Sequence, residues 1–377
     1  MKVGIPKEIE ENETRVSLIP QTVKKLTQRG IEVLIESRAG EGSFFKDKDY
    51  EDSGARIVKS ASEVYLACDI IIKIRKPQEQ EINKIKEGAV LVSLLYGSQN
   101  PDIVQKLSTR KITAFALDSV PRITRAQTMD VLSSMSTITG YKAVLIAADN
   151  LPKFFPMLMT AAGTVAPAKV FIIGAGVAGL QAIATAKRLG AVVEAFDTRP
   201  LVKEQVESLG GRFVALDLSG EKTEGEGGYA KEVSKELHQR ELELISKQVK
   251  KADVVITTAL VPGKKAPILI TEDMVKEMQT GSIIIDLASE QGGNCELTSP
   301  GEKVVKFGVT ICGYFNLPGL MQQLSETFYI LFAIKKLKSI CCQRFHSIEL
   351  YFTALDIIDI TFGNFRGSSC YPCIEKH

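Results

Sequence analysis

Three glycines and one aspartate have the spacing of a nucleotide-binding turn. Gly174, Gly176 and Gly179 follow a short apolar run, and Asp197 ends a second run about twenty residues further on. Glycines at these positions permit a tight turn, a close backbone approach to pyrophosphate, and close helix–strand packing. The start of the following helix favours phosphates, and the aspartate can accept two hydrogen bonds from an adenosine ribose. The pattern therefore predicts a dinucleotide site.

The acid also indicates which dinucleotide is bound. A carboxylate at Asp197 accepts ribose hydroxyls but repels a 2′-phosphate, so NAD(H) is favoured over NADP(H). Arg199 lies two positions further on and is the one neighbouring cation that would favour a 2′-phosphate. The sequence predicts NAD(H) as the cofactor.

A second polar set lies in one turn and the helix start that follows it. Arg122, Gln127, Asp130 and Ser133 supply a cation, an amide, a carboxylate and a hydroxyl. Such groups can orient a carboxamide, a ribose and phosphates. The alternative is helix capping with solvated charges, and spacing alone leaves both interpretations open.

Histidine is scarce, which bears on the reaction. The chain has three, His238, His346 and His377, and none follows a predicted strand near the glycine turn. Reduction of a carbonyl requires a proton donor, most often histidine. Hydride exchange between two nicotinamide rings needs no proton, only reacting atoms held about 3–3.5 Å apart. The scarcity is consistent with that exchange.

Repeated alternation of strands and helices predicts the fold class. The predicted strands at the start of the chain are Lys2–Ile5, Ile31–Ile35, Ala55–Val58, Ile70–Ile74, Ala89–Leu95 and Ile112–Leu117. Amphipathic helical segments separate them, as in a parallel, doubly wound sheet. We therefore predict an α/β protein with two Rossmann-like parallel-sheet domains linked by long helices. Residues 1–132 plus about 317–377 form the first domain, and residues 133–316 form the NAD-binding domain.

Composition excludes several classes of protein. The 377 residues are 45% hydrophobic and 24% charged with a net charge of +2, as in soluble globular proteins without a nucleic-acid footprint. No run of 18 apolar residues occurs, so no direct membrane span is expected. The N-terminus lacks signal-peptide features and the seven cysteines have no regular spacing, which indicates a cytoplasmic protein.

Several stretches together resemble one family, the NAD(H)-binding component (domain I) of proton-translocating nicotinamide nucleotide transhydrogenase. The similarity runs from residue 1 to about residue 318. The matching stretches are GIPKEIEENETRVSLIP, PRITRAQTMDVLSSMSTITGYKAV, VFIIGAGVAGLQAIATAKRLGAVVEAFDTRP, DVVITTALVPGKKAPILIT and GSIIIDLASEQGGNCELTSPGE.

The resemblance implies roles for individual residues. Arg122, Gln127 and Asp130, with Ser133 beside them, match the family's loop at the nicotinamide end of the bound nucleotide. Tyr229, in the glycine-rich stretch Ser219–Tyr229, matches the tyrosine of a mobile loop that closes on the nucleotide. The full predicted cofactor-binding set is Gly174, Gly176, Val177, Gly179, Asp197, Thr198, Arg199, Tyr229, Ala259 and Leu260.

The resemblance also implies an activity and partners. The family transfers hydride reversibly between NADH and NADP held on a partner domain, coupled to protons crossing a membrane domain. This chain resembles the separately encoded, dimeric subunit. Its expected partners are membrane-spanning and NADP-binding subunits that hold it on the cytoplasmic face of the inner membrane.

Alanine dehydrogenase shares this fold and is the alternative. Lys73 and Arg15 match that family's pyruvate-binding lysine and arginine, but its catalytic histidine falls near Tyr96 and its active-site aspartate near Glu290. These departures disfavour amino-acid oxidation. A non-catalytic NAD sensor would keep the glycine turn without needing the Arg122–Asp130 loop. The chain also has Leu320 where the transhydrogenase family usually has arginine, and similarity ends by about residue 340.

Overall fold

The computed structural model describes residues 1–121, 123–216, 235–260 and 265–322. The chain divides into two compact units. Of the described residues, the first contains Met1–Ser134 and residues 319–322, and the second contains those within Met135–Pro318. Each unit has its own sheet.

The first unit is a six-stranded parallel sheet. Its strands are β1 (Lys2–Ile5), β2 (Glu32–Glu36), β3 (Arg56–Val58), β4 (Ile70–Ile72), β5 (Val90–Ser93) and β6 (Thr113–Ala116). Their order is β3-β2-β1-β4-β5-β6, the doubly wound order in which the direction of winding reverses between β1 and β4. All six strands predicted for this stretch of the chain are present.

Short helices connect these strands, and a long helix follows them. They are α1 (Pro20–Thr27), α2 (Asp47–Glu51), α3 (Ala61–Ala67), α4 (Glu79–Ile82), α5 (Pro101–Thr109) and α6 (Val131–Asn150). Proline begins α1 and α5, where its missing N–H group is not needed. Helix α6 begins only after a 3-10 helix at Thr124–Met129.

The second unit contains a hairpin and a seven-stranded sheet. Its elements are β7 (Leu158–Thr160), β8 (Gly163–Val165), β9 (Lys169–Ile173), α7 (Val177–Arg188), β10 (Val192–Phe196), α8 (Lys203–Ser208), β11 (Arg212–Phe213), α9 (Lys235–Val249), β12 (Val254–Thr257), α10 (Glu272–Lys276), β13 (Ile283–Asp286), β14 (Lys303–Lys306) and β15 (Val309–Cys312). The sheet order is β11-β10-β9-β12-β13-β15-β14, with only β14 antiparallel. The α/β, Rossmann-like fold class is therefore confirmed.

Two apolar clusters cover the faces of this sheet. One joins α6, α7 and α8 to residues such as Ile172 of β9, and the other joins α9 and α10 to residues such as Phe171. Adjacent residues of β9 point to opposite faces, so helices on both sides bury this central strand. In open sheets of this kind, ligands bind outside the carboxyl ends of the strands.

Helix α6 packs unusually closely on the start of α7. A Cβ built on Gly140 would lie 2.1 Å from the carbonyl oxygen of Ala178, so only glycine fits at this crossing. By length and composition, α6 is the one helix of the described ranges that could cross a membrane. Length and composition are weak evidence for a membrane span here, because Ala143, Val144 and Ala147 of the same helix lie in the core of the second unit.

Two features of the second unit were not predicted. The β7–β8 hairpin and the antiparallel edge strand β14 are both short, and β14 pairs with the predicted strand β15. The helix expected after Leu317 lies outside the described residues except for a 3-10 turn at Leu317–Met321. The glycine-rich stretch Ser219–Tyr229 also lies outside them.

Candidate functional site

The three glycines of the turn have three different steric environments. Gly174 has φ +98°, and a Cβ there would meet Thr258 Oγ1 at 2.4 Å. A Cβ on Gly179 would lie 1.9 Å from the carbonyl oxygen of Gly174. Among the residues that the structure describes, a Cβ on Gly176 would have one neighbour within 4 Å, an Arg199 Nη2 atom at 4.0 Å. Gly174 and Gly179 therefore shape the turn, whereas Gly176 leaves open space above its backbone.

That open space lies at the start of α7. Gly176 is the N-cap residue of this helix, and Val177 is its exposed first residue. The first N–H groups of a helix have no intrahelical partner and carry partial positive charge. The turn thus fits a pyrophosphate, because a phosphate oxygen can occupy the space that any side chain at position 176 would fill.

Asp197 lies at the carboxyl end of β10, and both of its carboxylate oxygens accept hydrogen bonds. Its Oδ2 accepts the backbone N–H of Ala175 at 2.7 Å and a guanidinium N–H of Arg199 at 2.8 Å. Its Oδ1 accepts the backbone and Nε N–H groups of Arg199 at 2.9 and 2.8 Å. The predicted ribose acceptor is therefore bonded to the glycine turn through the Ala175 N–H and to the backbone and side chain of Arg199.

A second buried acid lies near Asp197. Glu241 of α9 is buried, and its Oε2 is 3.0 Å from Nδ1 of His238 on the preceding helical turn. Burial raises the pKa of Glu241, His238 opposes that rise, and the negative charge of Asp197 adds to it. Sequence reasoning missed Glu241, because no local pattern shows that α9 turns this residue inward.

The loop after β12 is held by one buried asparagine. Asn294 donates from Nδ2 to the carbonyl oxygens of Ala259 and Pro267 at 2.9 and 2.8 Å. Its Oδ1 accepts the N–H of Ala259 at 3.1 Å, and its own N–H donates to Asp286 at 2.8 Å. Ala259 therefore has a fixed backbone at the carboxyl edge, and Leu260 beside it is exposed.

The polar turn of the first unit caps α6. Asp130 Oδ1 accepts the backbone N–H of Ser133 at 2.9 Å, and Oδ2 accepts its hydroxyl at 2.5 Å. Gln127 is exposed, and its carbonyl accepts the N–H of Asp130 at 3.3 Å. The capping interpretation thus describes Asp130 and Ser133, while Gln127 presents its amide to solvent.

Not every predicted residue can be placed. Arg122 and Tyr229 lie outside the described residues, so the structure leaves their assigned roles as predictions. Gly174, Gly176 and Gly179 form one turn with Asp197 and Arg199, and Thr198 lies half-buried between these last two residues. Asp130 and Ser133 are directly bonded to each other in the first unit.

The cations expected from the alanine dehydrogenase alternative are neutralised by carboxylates. Lys73 is 1% exposed, and its Nζ lies 2.7 Å from Glu81 and 3.5 Å from Glu8. Arg15 is 3% exposed and bonds to Glu13 at 2.6 Å. Burial alone would lower the pKa of Lys73, but its two carboxylate neighbours raise it above the ordinary value. Both cations therefore belong to a buried charge network of the first unit.

Comparisons with known proteins agree with this architecture. The family description "Alanine dehydrogenase/PNT, N-terminal domain" matches residues 4–139, and the corresponding C-terminal domain matches residues 143–355. The chain belongs to this alanine dehydrogenase/PNT family. The resemblance seen in the sequence is thereby confirmed.

Individual relatives within the family are similar over most of their length. The chain is 51% identical over 324 residues to an NAD(P) transhydrogenase alpha subunit chain of Rhodospirillum rubrum, covering 84% of each protein. It is 36% identical to alanine dehydrogenase 2 of Staphylococcus aureus, covering 86% of this chain and 83% of the relative. Among solved structures, the transhydrogenase from Sinorhizobium meliloti has a TM-score of 0.81 at 41% identity, covering 90% of this chain and 94% of that one.

Two positions bear on the alanine dehydrogenase alternative. Tyr96, near the position expected for a catalytic histidine, has φ +48° and is 37% exposed. Glu290, near the position expected for an aspartate, accepts the N–H of Asn316 at 2.9 Å in the second unit. Neither position carries the residue that the alternative requires.

Proposed function

We propose that this chain is the NAD(H)-binding catalytic component of a proton-translocating NAD(P) transhydrogenase. It transfers hydride reversibly between NADH bound here and NADP bound on a partner domain, and a separate membrane domain couples this to proton translocation. The observation that carries the proposal is the glycine turn bonded to Asp197, which suits a dinucleotide. The choice of reaction is supported by 51% identity over 324 residues to a transhydrogenase alpha subunit chain.

The second unit holds the adenosine end of the dinucleotide. The open backbone at Gly176 and the first N–H groups of α7 receive the pyrophosphate. Asp197 accepts the ribose hydroxyls and disfavours a 2′-phosphate, which selects NAD(H). Thr198, Ala259 and Leu260 lie at the same carboxyl edge of the sheet and flank the nucleotide.

The polar turn of the first unit orients the nicotinamide end. The bound nicotinamide ring supplies the hydride chemistry, so the protein's contribution is positioning. Gln127 offers an exposed amide, and Asp130 holds the turn through its bonds to Ser133. The family resemblance assigns Arg122 to the nicotinamide end and Tyr229 to closure on the nucleotide, and both residues lie outside the described ranges. The proposed domains are residues 1–132 with 317–377, which carry the polar turn, and residues 133–316, which carry the glycine turn.

The subunit works with partners. NADP-binding and membrane-spanning transhydrogenase subunits hold it at the cytoplasmic face of the inner membrane. The Rhodospirillum rubrum relative is named as one portion of a divided alpha subunit, which supports this separation of the complex into several chains.

Replacing Asp130 by asparagine is expected to slow hydride transfer at least ten-fold, by order of magnitude, with NADH affinity changed less than about three-fold. Asparagine caps helices as well as aspartate, so α6 still begins correctly. The negative charge is lost, and the Ser133 hydroxyl, which donates to Oδ2 of Asp130, must instead accept from the amide. The measurement mixes the full chain with the NADP-binding subunit of a related transhydrogenase that holds an NADP analogue of distinct absorbance, and follows a single turnover by that absorbance. NADH and NADPH affinities are titrated separately.

The matched control is Asp102→Asn, in the exposed first turn of α5. It should retain the wild-type rate. A full rate for Asp130→Asn would remove the positioning role. Equal affinities of the wild-type chain for NADH and NADPH would contradict the proposed site, and turnover of alanine with NAD would favour the alternative.

We also propose that the chain forms a homodimer through the β7–β8 hairpin. Its register pairs Leu158 with Val165, and both side chains are exposed. Met157 and Met159 extend the same apolar segment, and Met159 is 73% exposed. An isolated two-stranded hairpin is marginally stable in water, and contiguous exposed apolar surface usually marks an interface. A second copy would cover this surface.

Replacing Met159 by glutamate should therefore weaken dimerisation by roughly 100-fold, because a charge would be buried without a partner at the interface. Analytical ultracentrifugation over a range of concentrations measures the effect. Leu66→Glu is the control, since Leu66 of α3 is similarly exposed at 66% but lies outside the hairpin. A monomeric wild-type chain, or equal effects of the two variants, would contradict the proposed dimer surface.

A further inference from the structure

The Arg199 side chain lies between the ribose acceptor and the phosphate position. Its Nε and Nη2 atoms donate to the two oxygens of Asp197, each at 2.8 Å. Within the described ranges, the same Nη2 atom is the one neighbour within 4 Å of a Cβ built on Gly176. The guanidinium therefore reaches the open space above the turn while it is bonded to the acid.

This arrangement saturates Asp197. A carboxylate offers about four lone-pair positions, and Asp197 accepts four hydrogen bonds, three from Arg199 and one from the Ala175 N–H. Two ribose hydroxyls cannot be added without displacing a donor. The side-chain donors of Arg199 can leave by rotation about χ angles, whereas the two backbone donors are fixed by the turn. Nucleotide binding at Asp197 thus requires the guanidinium to move.

The displaced guanidinium has a suitable destination. Its planar fork of donors matches two oxygens of a phosphate, and such charge-assisted bonds are among the strongest in proteins. Nη2 already lies 4.0 Å from the point where a Cβ on Gly176 would stand, at the edge of the space that a phosphate would fill. Without a nucleotide, the Asp197 carboxylate neutralises the guanidinium charge through the ion pair at 2.8 Å.

We propose that Arg199 is a diphosphate-binding residue that exchanges partners. Without nucleotide it holds the Asp197 carboxylate. When an adenosine diphosphate group binds, the ribose hydroxyls take the Asp197 oxygens and the guanidinium bonds to the diphosphate above Gly176. This inference rests on the proposed function only in placing a dinucleotide at the turn, and it assigns to Arg199 the recognition of one chemical fragment, the diphosphate.

Titrations with nucleotide fragments test the exchange. Adenosine, ADP, ADP-ribose and NADH are titrated calorimetrically into the full-length wild-type chain and into Arg199→Ala and Arg199→Lys variants. For Arg199→Ala we expect roughly ten- to thirty-fold weaker binding of ADP and ADP-ribose, from the loss of charged hydrogen bonds. Adenosine binding should stay within two-fold or tighten, because its hydroxyls no longer compete for Asp197. Arg199→Lys should be intermediate, since lysine keeps the charge without the fork.

The control is Lys203→Ala. Lys203 is an exposed cation four residues further along the chain, 4.0 Å from Glu207, and its loss should change ADP affinity less than two-fold. Equal weakening of adenosine and ADP by Arg199→Ala would show that the arginine only orients Asp197, and unchanged ADP affinity would also overturn the exchange. If the wild-type chain binds NADH and Arg199→Ala gives one of these two contradicting results, the proposed function stands and only the partner exchange is wrong. If wild type binds neither ADP nor NADH, both fail.

Discussion

Replacing Gly176 by alanine is expected to weaken NADH binding by roughly 30- to 1,000-fold, with a loss of stability of no more than about 1 kcal/mol from the poorer helix N-cap. The backbone at Gly176 has φ −75° and a Cβ there meets open space, so alanine is tolerated by the folded turn. The added methyl group would occupy the position of a phosphate and remove one or two charge-assisted bonds to backbone N–H groups. Each such bond contributes about 1.5–3 kcal/mol. Calorimetric titration with NADH and thermal unfolding provide the two measurements.

Gly179→Ala is the matched comparison. The same methyl group at this position would lie 1.9 Å from the carbonyl oxygen of Gly174, so the helix must move away from the strand. We therefore expect Gly179→Ala to lose both NADH binding and several degrees of melting temperature, at the scale of an overpacked core. If Gly176→Ala binds NADH normally, the open space does not receive the pyrophosphate. If both variants lose equal stability, their separate roles are wrong.

This turn also shows how far sequence reasoning reaches. The apolar run Val170–Ile173, the glycine spacing and Asp197 are local features, and they predicted β9, α7 and β10 because each element has its own short-range pattern. The pairing of Arg199 with Asp197 was not predicted. Two residues of opposite charge at this spacing can point apart, and only the side-chain directions in the folded turn bring them together.

Other elements were missed for different physical reasons. The β7–β8 hairpin has apolar residues on its exposed surface, so it lacks the alternation that marks a half-buried strand. Edge strand β14 depends on pairing with β15, which no pattern within Lys303–Lys306 reveals. The polar turn left capping and ligand binding open, and the Asp130–Ser133 bonds show that capping occurs without testing the second role.

The buried charge network of the first unit is the clearest case of non-local structure. Glu13, Arg15 and Arg75 are separated by up to 62 residues, yet one carboxylate joins both guanidiniums. Glu13 Oε1 lies 2.6 Å from Arg15 Nε, and Oε2 lies 2.7 Å from Arg75 Nε. Lys73 is paired in the same unit with Glu8 and Glu81. Such a network is stable only when every charge has its partner, which makes it sensitive to single substitutions.

Replacing Glu13 by glutamine is therefore expected to destabilise the protein by about 3–5 kcal/mol at pH 7. The substitution keeps the shape of the side chain but leaves two largely buried guanidiniums without their shared negative charge. The exposed pair of Arg38 and Glu41, 2.8 Å apart, provides the control. Glu41→Gln should cost less than about 1 kcal/mol, because solvent screens that pair. Urea unfolding followed by circular dichroism measures both variants.

The pH dependence of this loss separates charge from packing. Burial alone would raise the pKa of Glu13, but Arg15 and Arg75 outweigh it and lower the pKa to about 2, from an ordinary value of 4.5. A lowered carboxyl pKa stabilises the folded state above the unfolded pKa, and this contribution is lost as the pH falls from about 4.5 towards 2. The difference between wild type and Glu13→Gln should accordingly shrink by about 2 kcal/mol between pH 7 and pH 3. A difference that stayed constant over this interval would mean that Glu13 acts through shape and hydrogen bonding, and that its charge contributes nothing to holding the two arginines.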